Sequence, residues 1–193
     1  MVAQLTRRAD QLAEPAAEGG GAEVVALARK TIEAFVDQRE IIAPPKDASE
    51  LFSQRAACFV SIKTKAGELR GCVGTIEPLK DTLGEELIAN AISAATRDPR
   101  FSPVGKVELP NLKYSVDVLS QPEPARREDL DPHIYGLILE DQRGLRRGLL
   151  LPDLAGIDTP AKQIEITSHK AGIKPGEPIV LFRFRVARYS EPS

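Results

Sequence analysis

The chain has 193 residues, 42% of them hydrophobic, and 26 Lys and Arg against 28 Asp and Glu leave a net charge of −2. That balance gives no basis for binding nucleic acid or an anionic membrane, which favour a strongly basic surface. With no Trp and 5% aromatics the core must be mostly aliphatic, and two cysteines, Cys58 and Cys72, are too few for a disulfide framework.

Residues 1–21 contain Arg7 and Arg8 but no apolar h-region, so they do not read as a secretory signal. Their Ala, Glu, Pro and Gly content reads as a disordered tail. No run approaches the roughly 18 apolar residues of a transmembrane helix, and the expected location is a reducing cytoplasm. Residues 22–40 follow as a helix, with Val24, Leu27, Ile32, Phe35 and Val36 at helical spacing and Pro44 and Pro45 as its stop.

Residues 56–64 alternate like a strand, with Cys58, Val60 and Ile62 on one face and Phe59 and Ser61 on the other. Gly67 marks a turn, and residues 69–76 return as the second strand of a hairpin. A second helix spans 78–98, with Leu83, Leu87, Ala91 and Ala94 as its buried stripe and Gly84 marking close packing. Glu85 and Glu86 are expected on its surface. A third strand over 113–120 turns Tyr114, Val116 and Val118 one way, and residues 121–132 read as a polar loop.

Residues 133–152 read as another hairpin, whose Leu149, Leu150 and Leu151 suggest burial on both faces. Residues 160–173 suit a short helix that starts at Pro160 and ends at Gly172, although Ile164, Ile166 and Thr167 also suit a strand. Residues 177–189 close the chain as one strand, with Val180, Phe182, Phe184 and Val186 opposite Arg183 and Arg185. No internal repeat is evident. The pattern predicts an α+β fold with a mainly antiparallel sheet and flanking helices.

Cys72 is the focus of the chemistry. Alternation over 69–76 places Arg70, Cys72, Gly74 and Ile76 on one face, and a guanidinium beside a thiol favours the thiolate. Gly71 and Gly74 leave room for a ligand. The same residues also fit a small buried thiol beside a bulge or a tightly packed helix. The hairpin turn pairs Cys72 with Ser61, which leaves Cys58 about three residues along, on the order of 10 Å away. That exceeds the roughly 7 Å Cα limit for a disulfide, so two free thiols are predicted. His133 and His169 lie in no metal-ligand spacing, and no pattern names a metal or a cofactor. Arg143, Arg146 and Arg147 suit carboxylate or phosphate binding or a solvated face.

The stretch "LRGCVGTIEPL", residues 69–79, closely resembles the LRGCIGT signature of the AMMECR proteins, whose microbial members are called AmmeMemoRadiSam system protein A. "AATRDPRFSPV" at 94–104, "RRGLLLP" at 146–152 and "KAGI" at 170–173 fit in the same order. The resemblance covers residues 22–188. It implies a single domain over 22–190 made of two unequal lobes packed around a cleft that the signature faces. It carries over to Arg70, Gly71, Cys72, Gly74, Thr75, Asp98, Arg100, Phe101, Arg147 and Gly148. Tyr135–Gly136 stands where many relatives have His-Gly. With His133 on the same strand face, this puts a borrowed Cys–His mechanism in doubt. "AGID", 155–158, lacks the tryptophan of many members.

Two functions follow from the resemblance. In the first, the chain is an enzyme of a small-molecule or protein modification pathway. Cys72 and Arg70 would be its catalytic pair, Gly71, Gly74 and Thr75 would line the binding surface, and Arg100 or Arg147 would hold a small anionic ligand. In the second, the same cleft grips a partner without catalysis. Family association implies a Memo-like protein and a radical S-adenosylmethionine enzyme as partners.

Overall fold

A computed structural model describes residues 20–45 and 49–192. The tail expected over 1–21 lies outside the described residues up to 19, and its last two positions open the first helix. The elements in chain order are α1 (Gly20–Gln38), α2 (Glu50–Ser53), β1 (Cys58–Thr64), β2 (Leu69–Gly74), α3 (Leu83–Thr96), β3 (Leu112–Leu119), β4 (Glu123–Ala125), β5 (Gly136–Asp141), β6 (Arg147–Leu150), α4 (Pro160–Ala171), β7 (Ile179–Phe184) and β8 (Val186–Ser190). A 3₁₀ turn over Lys106–Asn111 leads into β3. The chain is mixed α+β, with two four-stranded sheets ordered β2-β1-β3-β8 and β4-β7-β5-β6. It divides into two compact units, Leu119–Val186 and the remainder.

In the first unit β1 runs antiparallel to both β2 and β3. Cys58, Val60 and Ile62 are fully buried, as are Val116 on β3, Leu83, Leu87 and Ala91 on α3, and Val24, Ala28 and Ile32 on α1. The period-2 stripe of the sheet and the 3.6-period stripes of the two helices therefore meet in one aliphatic core. Gly84 lies against Pro44, whose Cβ would be 3.0 Å from an added side chain. Gly21 sits against the Tyr189 ring, which is why α1 can run through a glycine. α1 ends earlier than its prolines imply. Arg39 turns left-handed at φ 58°, so the helix stops at Gln38.

Two further boundaries move inward. The second helix starts at Leu83 rather than at residue 78, because the Thr82 hydroxyl caps Glu85 N and the Glu86 carboxylate holds Leu79 N and Lys80 N in a loop. Glu86 is 1% exposed, which overturns its expected place on the surface. β2 ends at Gly74, because Thr75 turns its hydroxyl to Glu86. Ile76 therefore does not extend the Cys72 face.

The second unit packs Leu137 and Leu139 of β5 against Ile164 of α4, with Leu130 and Ile173 closing the cluster. Residues 160–171 are a helix, with Thr159 as N-cap and Gly172 left-handed at φ 67° as its stop. Leu149 and Leu150 are both buried although they point to opposite faces. Two readings change here. Glu123–Ala125 forms a short strand on β7 instead of loop. The last strand breaks into β7 and β8 in different sheets, where the Ser120 N–H donates to the Arg185 carbonyl and the Arg185 N–H donates to the Ser120 hydroxyl.

A hairpin, a helix and a third strand recur in both units. Each hairpin's second strand lies at a sheet edge, its first strand lies inside, and the strand after the helix pairs with that first strand.

Candidate functional site

Cys72 pairs with Ser61 across the β1–β2 ladder, as the hairpin turn predicts, and the Ser61 hydroxyl donates to the Cys72 sulfur at 3.1 Å. The thiol is half-buried, and both cysteines are free. Cys58 is fully buried, and that burial pushes its thiol up to about 12. Asn90 sends its amide to the Cys58 carbonyl at 2.9 Å. One cysteine is thus sealed in the core, and the other stands on the opposite face of the sheet.

Asp98 and Arg100 close the free edge of β2. The Asp98 carboxylate accepts the Cys72 N–H at 2.8 Å, the Arg100 N–H at 3.1 Å, and Arg100 Nε and Nη2 at 2.9 and 2.7 Å. Arg100 chiefly, and then the backbone donors, hold the Asp98 carboxyl far below the usual carboxylate range despite its burial. Arg100 is raised in turn, chiefly by the same bond. Its Nη2 also reaches the Cys72 carbonyl at 3.4 Å. The strand edge that carries Cys72 is in this way held from outside by a bidentate pair.

Arg70 serves a different purpose from the one its spacing suggests. The ladder slips between Ile62 and Lys63, which leaves Arg70 as the extra residue of a bulge. Its guanidinium binds Glu108 at 2.7 and 3.0 Å and the carbonyls of Ser102 and Pro103. The guanidinium that reaches Cys72, at its backbone carbonyl, is that of Arg100. Phe101 lies under both guanidinium groups, 5.8 Å from Arg70 and 5.5 Å from Arg100.

The glycines are filled from the protein itself. A Cβ on Gly71 would fall on the carbonyl oxygen of Ala94 in α3, and one on Gly74 would enter the Phe59 ring. Thr75 faces inward, donating to Glu86 at 2.6 Å and accepting from Asn90 at 3.3 Å. These three residues shape the strand and its exit.

Arg147 lies in the second unit and pairs with Glu140 across β5–β6 at 2.7 Å. Gly148 beside it lets α4 approach, because an added Cβ would meet the Thr167 carbonyl. His133 sits in a turn before β5, 3.8 Å from Asp153 and 3.9 Å from Asp158, so strand alternation does not align it with Tyr135. The Tyr135 ring lies 4.4 Å from the Arg183 guanidinium and 5.2 Å from that of Arg185. His169 is exposed in the last turn of α4. Among the described residues no three His, Cys, Asp or Glu side chains form a metal-binding group.

The face of the first sheet that carries Cys72 holds residues the sequence did not single out. Cys72, Ser61 and Ser115 lie in one row across β2, β1 and β3. The next row on β1 and β3 is Lys63 opposite Lys113, and the row on the other side is Phe59 opposite Asp117. Asp117 is held by Arg188 at 2.8 and 3.2 Å. Ser61 was legible from the hairpin register. Ser115 and Lys113 were not, because α3 and the 3₁₀ turn separate β3 from β1 in the chain.

Comparison with known proteins places this architecture. The AMMECR1 family profile matches residues 25–191. The chain belongs to the AMMECR1 family. It is 45% identical over 168 residues to a Thermotoga maritima protein, covering 86% of this chain and 95% of that one. It is 44% identical over 169 residues to a Clostridium acetobutylicum protein, covering 86% of this chain but only 36% of the clostridial protein's length. An uncharacterized protein from Pyrococcus horikoshii has a similar crystal structure, with a TM-score of 0.82 and 30% identity over 92% of this chain and 94% of that one. The AMMECR1 signature thus corresponds here to an edge strand held by Asp98 and Arg100, with Cys72 half-buried on the face opposite the core. Among the described residues no helix is long and apolar enough to cross a membrane.

Proposed function

We propose that this AMMECR1 protein is a cytosolic enzyme of a small-molecule or protein modification pathway and that Cys72 is its nucleophile. The observation that carries the reading is the thiol's setting. Its sulfur accepts the Ser61 hydroxyl at 3.1 Å, Asp98 holds its backbone N–H at 2.8 Å, and Arg100 reaches its backbone carbonyl at 3.4 Å. A half-buried thiol hydrogen-bonded at sulfur on a fixed backbone is placed to act as a nucleophile. The sulfur's partner is a hydroxyl rather than an imidazole, so its proton would leave to solvent or to the substrate. The family association with a Memo-like protein and a radical S-adenosylmethionine enzyme fits a shared modification pathway.

Competitive alkylation tests this. Iodoacetamide should label Cys72 at least about tenfold faster than a cysteine in an unstructured peptide at neutral pH. Cys58 should stay unlabelled in the folded chain, because it is fully buried. A Cys72 rate no greater than that of the peptide removes the nucleophile and leaves the same surface as a non-catalytic ligand-binding or adaptor site.

A further inference from the structure

Lys63 and Lys113 face one another directly across β1 and β3. Side chains opposite each other in an antiparallel pair have Cβ atoms about 4.5–5.5 Å apart, and like charges so placed repel. Asp117 on the same face is already committed to Arg188. Lys113 reaches the Pro192 carbonyl at 3.4 Å and feels Glu191, while Lys63 is exposed and has no ion-pair partner among the described residues. The repulsion would be relieved by an anion. Beside this pair lies the row of small polar groups, Cys72, Ser61 and Ser115, in which Ser61 donates to the Cys72 sulfur and Ser115 offers a hydroxyl without a bulky side chain. On one strand face, successive rows are about 6.6–6.8 Å apart.

We propose that this face of the first sheet binds an elongated anionic small molecule. Its carboxylate or phosphate lies between Lys63 and Lys113, its middle lies over Ser61 and Ser115, and its reactive end lies over Cys72. This rests on the reading of Cys72 as the working group and names the substrate class for it. It also moves the anion from Arg100 and Arg147 to the lysine pair. Arg100 spends Nε and Nη2 on Asp98, and Arg147 is paired with Glu140.

Titration of the full chain with inorganic phosphate, followed by backbone amide NMR, tests the anion site whether or not Cys72 reacts. The amides of Ser61, Lys63, Lys113 and Ser115 should shift together and saturate. Lys63→Gln and Lys113→Gln should each weaken binding by about threefold at low salt, the effect of one unit charge at this spacing in water. The loss should shrink as salt screens the charges. A second arm compares iodoacetate with iodoacetamide on Cys72. The anionic reagent should be favoured relative to a cysteine peptide, and the two lysine variants should remove that preference. Absence of a saturable shift at these amides, or shifts that both variants leave unchanged, overturns the anion site. If phosphate binds there while Cys72 is inert to both reagents, the nucleophile fails and the anion site stands.

Discussion

Arg70–Gly71–Cys72 in β2 and Arg147–Gly148–Leu149 in β6 occupy corresponding places in the two units. Gly71 pairs with buried Ile62 and Gly148 with buried Leu139. In each case the glycine admits a backbone carbonyl of the following helix, Ala94 in α3 and Thr167 in α4. Each arginine meets a glutamate, Glu108 or Glu140, at 2.7 Å. Each strand edge is held by a charged side chain. Asp98 accepts Cys72 N, and Lys170 donates to Leu149 O at 2.6 Å. The third residue differs. Leu149 is 6% exposed, whereas Cys72 is half-buried on the face opposite the core. Arginine and glycine therefore answer to architecture in both units, and the third residue is where the units differ in exposure.

The units differ most behind the strand. Glu86 is a buried acid that ties Thr75, Leu79 and Lys80 to α3, whereas the acids that hold Arg146 in the second unit, Asp141 at the end of β5 and Glu177 before β7, are more exposed than Glu86. Glu86→Ala should have the largest effect, about 3 kcal/mol, because four donors, the Thr75 hydroxyl, Leu79 N, Lys80 N and the Asn90 amide, lose an acceptor that is itself buried. Urea unfolding measures the loss, and hydrogen exchange should place it in the first unit. A cost under about 1 kcal/mol would mean that water replaces the carboxylate.

Gly71→Ala and Gly148→Ala test whether the two sites are built alike. Each added methyl forces a helix carbonyl to move, at a cost of about 1–3 kcal/mol for overpacking. Similar losses in matched urea titrations would sharpen the parallel. A large loss at one site and none at the other would break it.

The sequence already carried much of this comparison. Alternation in 56–64 placed Cys58, Val60 and Ile62 in the core, and the turn length fixed Cys72 opposite Ser61. The repeated hairpin–helix–strand order was hidden, because topology recurs where residues do not. Glu86 looked solvent-facing, since a charged residue on a helix is exposed by default and its donors come from a loop that helical pattern alone does not place. The Arg70 bulge was equally hidden, because strict alternation assumes an unbroken ladder. The site was half legible. The motif named Cys72, but the lysine and serine rows needed the pairing of strands about fifty residues apart in the chain.

The edge clamps should separate by pH. The Asp98 carboxyl is held far below its ordinary range by Arg100 and backbone donors. An unfolded aspartate titrates near about pH 4, so the stabilisation from this group is complete above that value. It is lost as pH falls from there toward the lower folded value, where the native carboxylate is protonated too. Asp98→Asn should flatten the acid limb of a stability–pH curve measured between pH 7 and acid unfolding. Lys170→Met should leave that limb unchanged, since a lysine does not titrate there. An acid limb identical in wild type and Asp98→Asn would show that the β2 clamp adds no linkage.

Cys72→Ala should have the smallest effect on stability, within about 0.5 kcal/mol. The backbone N–H that Asp98 holds is kept by alanine, Gly71 still admits α3, and the Ser61 hydroxyl can turn to solvent from a half-buried position. The thiol is thus the member of the Arg–Gly–Cys segment whose removal loses only the Ser61 hydrogen bond among the contacts described for it. Urea midpoints for wild type and Cys72→Ala should coincide, while Cys72→Ala loses all iodoacetamide labelling at neutral pH. A loss near that of Gly71→Ala would show that the sulfur is part of the packing, and the contrast between Cys72 and Leu149 would then be one of degree, with both residues filling space at an edge strand.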